Sequence, residues 1–146
     1  MTQHKTASQA QTNARLTALR LLENVIKRKR SMEEAMELEK SFASLRSDDR
    51  AFARMLAATT LRYWGQINAI LDKCLNKPGP VDPFEAHLTL CLGVTQLLWM
   101  RIPSHAAIHE TVELCTHVRT SRSKGLVNAV LRKIDKQGQA LLQSVP

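Results

Sequence analysis

The stretch Pro83-Phe84-Glu85-Ala86-His87-Leu88-Thr89-Leu90-Cys91-Leu92-Gly93-Val94-Thr95-Gln96-Leu97-Leu98-Trp99-Met100 decides the fold. Set on a helix, it is apolar on nearly every side, so that helix belongs at the centre of the molecule. Its least charged portion, 86–100, is too short to span a bilayer, and His87, Thr89, Thr95 and Gln96 interrupt it. Prolines mark its limits. Lys77-Pro78-Gly79-Pro80 stops whatever helix precedes it, because proline lacks an amide donor and clashes with the preceding turn. Asp82 followed by Pro83 makes an N-cap and first-turn pair, and Ile102-Pro103-Ser104 ends this helix and opens the next.

Helical spacing continues outward in both directions, and nothing alternates with the period of a strand for long. Downstream, Ile108, Val112 and Cys115 face inward on one helix. A polar link, 117–124, leads to a last helix whose Val127, Val130, Leu131 and Ile134 form one stripe. Upstream, Phe52, Met55, Leu56 and Thr59 precede Gly65, and Ile67, Ile70, Leu71 and Cys74 follow it, which fits two helices or one kinked helix. This segment opens at Ser47-Asp48-Asp49, with acid where the helix dipole favours it. Ser31 with Glu34 three residues later is a capping box for a helix through about residue 43. The first helix turns Leu19, Leu22 and Ile26 inward and Arg20, Asn24 and Lys27 outward, and it closes on Lys27-Arg28-Lys29-Arg30. Residues 1–12, rich in Gln, Thr and Ser, read as a flexible polar N-terminus. Residues 13–142 then form a single compact multi-helix domain of the all-α class.

With 146 residues, 44% hydrophobic and 23% charged, the chain has the size and composition of one globular domain. The charge is less ordinary: 21 Lys and Arg against 13 Asp and Glu give +8 and a pI near 9.9. Such an excess draws polyanions, nucleic acid first among them. A membrane surface is disfavoured, because no segment joins a basic face to large exposed aromatics. Cys74, Cys91 and Cys115 are odd in number, lack C-x-x-C spacing and sit in apolar helical stretches, so they read as structural thiols of a reducing compartment. The opening MTQHKTASQAQTNA has no apolar run of a signal peptide, and a cytoplasmic location is the expectation.

His105, His109 and Glu113 share a helical face at i, i+4, i+8, a spacing that can ligate zinc. The H-E-x-x-H order is absent, so structural histidines are the simpler reading and a metal-dependent activity is its rival. The chain has no G-x-S-x-G, no G-x-x-x-x-G-K-[ST] and no G-x-G-x-x-G, and its glycines at 65, 79, 93, 125 and 138 never cluster. No active site and no cofactor is expected. What remains is the placement of positive charge. Arg119, Arg122, Lys124, Arg132, Lys133 and Lys136 stand against Asp135 alone, and Arg15, Arg20 and residues 27–30 load the first helix. Basic groups on loops and helix ends reach phosphates without disturbing a core, although a charge run is also what an ordinary solvated face looks like. Aromatic residues make up only 4%, which leaves no base-stacking platform, so backbone and shape contacts would dominate. Charge alone does not choose between RNA and DNA.

Two further stretches carry a family resemblance. Ile102-Pro103-Ser104-His105-Ala106-Ala107-Ile108-His109-Glu110-Thr111-Val112-Glu113 and Lys124-Gly125-Leu126-Val127-Asn128-Ala129-Val130-Leu131-Arg132 resemble the signature of the NusB-like helical domain. Supporting matches are Asp49-Arg50-Ala51-Phe52, Thr60-Leu61-Arg62 and Leu92-Gly93-Val94-Thr95-Gln96-Leu97-Leu98, in the right order across about residues 13 to 136. One branch of that family is the free-standing antitermination factor, which binds a leader RNA together with a ribosomal protein. The other is the N-terminal domain of rRNA cytosine-C5 methyltransferases (RsmB, or Sun), which use S-adenosylmethionine. The wording here is closer to the second.

The resemblance implies an RNA-binding helical domain with no catalysis of its own, since the cofactor-binding sheet and catalytic cysteines would lie beyond Pro146. Its implied partners are rRNA or leader RNA, and a methyltransferase domain or a ribosomal protein. Arg15 matches a basic position of the family's RNA-contacting first helix, while Asn13 stands where a second basic residue is expected. Asn128 matches the motif asparagine and reads as structural, bonding a helix end or loop. The RNA-binding residues expected are therefore Arg15, Arg20, Arg119, Arg122, Lys124, Arg132 and Lys133.

Overall fold

The apolar stretch after Pro83 forms the helix around which the others pack. The computed structural model describes residues 7–146, with side chains from residue 9 on. In order, the described residues form α1 (Ala7–Ile26), α2 (Met32–Leu38), α3 (Lys40–Ser44), α4 (Ser47–Arg62), α5 (Trp64–Cys74), α6 (Phe84–Leu98), α7 (Ser104–His117), a 3₁₀ turn (Ser121–Ser123) and α8 (Lys124–Gln143). They contain no strand. Every side chain from Ala86 to Gln96 on α6 is buried, and α1, α4, α5, α7 and α8 all pack against this helix.

Burying α6 on all sides divides the interior into two cores. Leu88 and Leu92 join Leu19 and Leu22 of α1, Ala35 of α2 and Leu56 of α4. Leu90, Cys91 and Val94 join Ile67, Ile70 and Leu71 of α5 and Val127, Leu131 and Ile134 of α8. A fully buried leucine such as Leu92 or Leu131 contributes about 1.5–3 kcal/mol through the apolar area it removes from water. Gly93 lets α8 approach closely: a Cβ there would meet Leu131 Cδ1 at 2.6 Å.

The polar groups of α6 are all provided for, as burial requires. Thr95 Oγ1 donates to the Cys91 carbonyl at 2.9 Å and lies 2.8 Å from Thr60 Oγ1. His87 Nδ1 accepts the Val81 amide at 3.1 Å, so its Nε2–H is the donor to Asn68 Oδ1 at 2.6 Å. Gln96 reaches α7, with its Nε2 donating to Thr111 Oγ1 at 2.9 Å.

Several boundaries differ from expectation for local reasons. Helix α1 already opens at Ala7, and Gln9 and Gln11 are exposed while Thr12 is buried, so the polar composition of 9–12 marks a helix with one wet face; residues 1–6 lie outside the described residues. The Ser31–Glu34 capping box forms as read, but Glu39 adopts an extended backbone and splits the expected helix into α2 and α3. Tyr63 separates α4 from α5, giving two helices. Met55 is 59% exposed where an inward position was expected, because Ala53, Leu56, Ala57 and Thr60 take the inner face of α4. Pro83, not Asp82, is the cap residue of α6. Asn24 is buried rather than outward: its Nδ2 donates to the Arg20 carbonyl at 2.9 Å and its Oδ1 accepts from Arg30.

Candidate nucleic-acid interface

The seven basic residues expected to meet RNA lie in three parts of the fold: α1, the junction of α7 with α8, and the body of α8. Arg15 leaves the surface altogether. It is 4% exposed, and its Nε donates to Gln96 Oε1 at 2.8 Å while its guanidinium lies 5.1 Å from the centre of the Phe52 ring. Burial pulls its pKa below the usual arginine value, and the charge of Glu110 pushes back. Glu110 is itself buried, accepting from Thr12 Oγ1 at 2.8 Å. Arg15 therefore ties α1 to α4, α6 and α7, and its guanidinium lies inside the fold rather than on the surface where the resemblance puts a phosphate contact. The physical reason is that Gln96, Glu110 and Phe52 together give a buried cation what water would otherwise supply.

Arg20 is half-buried on the same helix, with Nη1 held 2.8 Å from Glu23 Oε1. In the neighbouring basic run, Lys27 Nζ pairs with Glu85 Oε2 at 3.2 Å, and Arg30 bonds Asn24. Much of the positive charge of α1 is thus already committed within the molecule.

Arg119 and Arg122 lie on the short connection from α7 to α8, and Lys124 is the first residue of α8. Arg119 and Arg122 are exposed, and Lys124 Nζ sits 3.7 Å from Glu113 Oε1. Arg119 holds a left-handed backbone, φ 58°, directly after the end of α7. That geometry lets the Thr120 amide close the helix by donating to the Cys115 carbonyl at 2.8 Å. Glycine is the usual occupant of such a position, and an L-residue costs roughly 1 kcal/mol there, partly offset by the attraction of a cation to the helix C-terminus. Lys29 and Arg101 also hold left-handed backbones, φ 59° and 53°, three residues past the ends of α1 and α6.

Arg132 and Lys133 diverge on α8. Arg132 turns toward α7, its Nε donating to Asn128 Oδ1 at 3.3 Å. Lys133 faces the α5 side, close enough for its charge to act on Cys74. Asn128, expected to bond a helix end or loop, thus pairs with a side chain one turn along its own helix.

Between α7 and α8 lies a groove of about 430 Å³ lined by Ser104, His105, Ile108, His109, Val112, Asn128, Arg132, Asp135 and Lys136. Sequence reasoning missed this feature. The available signal was the pairing of two spacings, histidines at 105 and 109 and polar residues at 128, 132 and 136. The rival zinc reading of that face fails on geometry. Glu113 turns to Lys124, and no three His, Cys, Asp or Glu side chains gather as a metal site among the described residues. The three cysteines are unbridged, and burial raises each thiol pKa, which suppresses the reactive thiolate.

Residues 12–136 match the NusB family. The chain belongs to that family. Among its relatives, ribosomal RNA small subunit methyltransferase B of Pseudomonas syringae pv. tomato is 36% identical over 130 residues, covering 89% of this chain and 29% of that protein. The Vibrio vulnificus protein of the same name is 36% identical over 129 residues, covering 88% and 30%. This NusB-family chain therefore spans under a third of the length of the curated relatives it matches. Among solved structures, antitermination factor NusB in a complex with NusE and double-stranded RNA superposes with a TM-score of 0.74 at 23% identity, covering 87% of this chain and 96% of that one. Thermotoga maritima NusB gives 0.76 at 21% identity, covering 92% and 94%. These likenesses establish the all-helical NusB fold. No helix among the described residues is long and apolar enough to cross a membrane.

Proposed function

We propose that this NusB-family chain binds RNA, and that residues 13–142 act in the cytoplasm as the N-terminal rRNA-recognition module of an rRNA cytosine-C5 methyltransferase, or as a free relative of one. The chain would contribute recognition and leave catalysis to another domain. One observation carries the reading: Arg119 and Arg122 stand exposed on the connection between the two helices that bear the family's signature, and Lys124 opens the second of those helices. A cation cluster on a connection can meet phosphates while the helices beneath it stay packed. The names of the curated relatives supply the substrate class. The burial of Arg15 favours this branch over the antitermination branch, whose first helix supplies basic residues to RNA.

Titration with a labelled small-subunit rRNA helix at two salt concentrations tests the proposal. Affinity should weaken steeply as salt rises, because phosphate contacts release counterions. Changing Arg119, Arg122 and Lys124 together to Glu should lower the salt slope by about 3, close to one per lost contact. An affinity indifferent to salt, or unchanged in the triple variant, would overturn it.

A further inference from the structure

We infer that the α7–α8 groove receives one nucleotide of a single-stranded RNA segment, its base against the imidazoles of His105 and His109 and its phosphate on Arg132 and Lys136. This inference rests on the RNA-binding reading and extends it to a second place on the same helix.

The chain's Phe, Tyr and Trp rings are engaged elsewhere in the fold. Tyr63 stacks on Trp99 with centroids 4.6 Å apart, Trp64 and Phe84 pack against His87, Phe52 lies under Arg15, and Phe42 is packed into the first core. Each of these rings already packs against other side chains. His105 and His109 are exposed, and both line the groove. Imidazoles stack on bases as other aromatic rings do, so a count of Phe, Trp and Tyr alone underestimates what this surface can offer.

The rest of the groove suits a nucleotide. Ile108 and Val112 supply apolar surface, and a volume of about 430 Å³ lies within the range of small-ligand sites. Arg132 engages Asn128 through Nε, which leaves the two terminal nitrogens of its fork to face an anion. Lys136 is exposed on the same lining. The one carboxylate of the lining, Asp135, accepts from Ser104 Oγ at 2.5 Å, so its charge is partly engaged. Two cations against one engaged acid leave a positive groove, complementary to phosphate. The strand must be single, because only an unpaired base can lay its face on an imidazole. Arg132 and Lys136 continue along α8 from the Lys124 connection, so a strand held at 119–124 has charge to follow toward the groove.

The intact chain is titrated with a short labelled single-stranded RNA and with a blunt RNA duplex. The variants are His105→Ala/His109→Ala, His105→Phe/His109→Phe, and the triple Glu variant of Arg119, Arg122 and Lys124. The double Ala variant should bind the single strand about tenfold more weakly, with its salt slope and its duplex affinity unchanged, since stacking releases no counterions. The double Phe variant should bind the single strand like the parent. If the double Ala variant loses nothing while the triple Glu variant does, the groove assignment falls and the RNA-binding reading stands. A Phe variant as weak as the Ala variant also overturns the stacking role. If the parent binds neither RNA, both fall together.

Discussion

Arg15 and Arg119 both lie on helix-rich segments beside apolar stripes, and by charge alone they belong to one class. The molecule uses them in opposite ways. Arg15 is enclosed by α1, α4, α6 and α7, hydrogen-bonded to Gln96, near Glu110 and over Phe52. Arg119 stands outside the helices in a left-handed backbone that glycine would hold more easily. In the first region the protein surrounds a charge with partners; in the second it tolerates backbone strain where an arginine is presented to solvent. The difference teaches that a basic residue points to a polyanion only when the fold leaves its charge unspent.

Removing each charge separates the two roles. Arg15→Ala removes the buried hydrogen bond to Gln96 and the contact with the Phe52 ring, and the expected loss is about 1.5–3 kcal/mol of folding stability. Urea denaturation followed by circular dichroism measures it, and RNA affinity per folded molecule should not change. A loss of RNA binding with stability intact would reverse the assignment. Next in size, Gly93→Ala sets a methyl against the Leu131 side chain, which must shift within a closed core, at a cost of about 1–3 kcal/mol less what alanine gains in helix propensity. A stability equal to that of the parent would mean that the α6–α8 spacing is not fixed by this glycine.

The third prediction concerns pH. Burial holds the His87 imidazole below the ordinary histidine value, while the charge of Asp72 pulls it up. The unfolded chain therefore takes up this proton first as pH falls. The His87 contribution is fully present above about pH 6.5 and is lost at up to about 1.4 kcal/mol per pH unit below that, until pH passes the folded value. Denaturation midpoints across that window check it, and His87→Gln should flatten the curve. The smallest effect is on the exposed side: Arg119→Gly should stabilise the fold by roughly 0.5–1 kcal/mol while weakening RNA binding. Thermal melts paired with RNA titration would show this opposition, and a parallel loss of both would contradict it.

The central helix was legible because a run from Ala86 to Gln96 that is buried on every side needs no knowledge of its neighbours. The stripe of α8 and the capping box at Ser31 were legible for the same local reason. Arg15 was not, because its fate depends on Gln96, 81 residues away, and its neighbour Thr12 meets Glu110 across 98. The α7–α8 groove was hidden differently. His105 and His109 belong to one helix and Asn128, Arg132 and Lys136 to another, and only the pairing of α7 with α8 makes them one surface. Within the 119–124 connection the charges were visible, but not the left-handed backbone that turns Arg119 outward.

The most direct test of the contrast between the two regions is nuclear magnetic resonance of backbone amides and arginine Nε–H groups during titration with the rRNA helix. Large shifts are expected for Arg119, Arg122 and Lys124, with an unmoved Arg15 Nε–H still donating to Gln96. Shifts centred on α1 with the 119–124 connection silent would contradict that contrast.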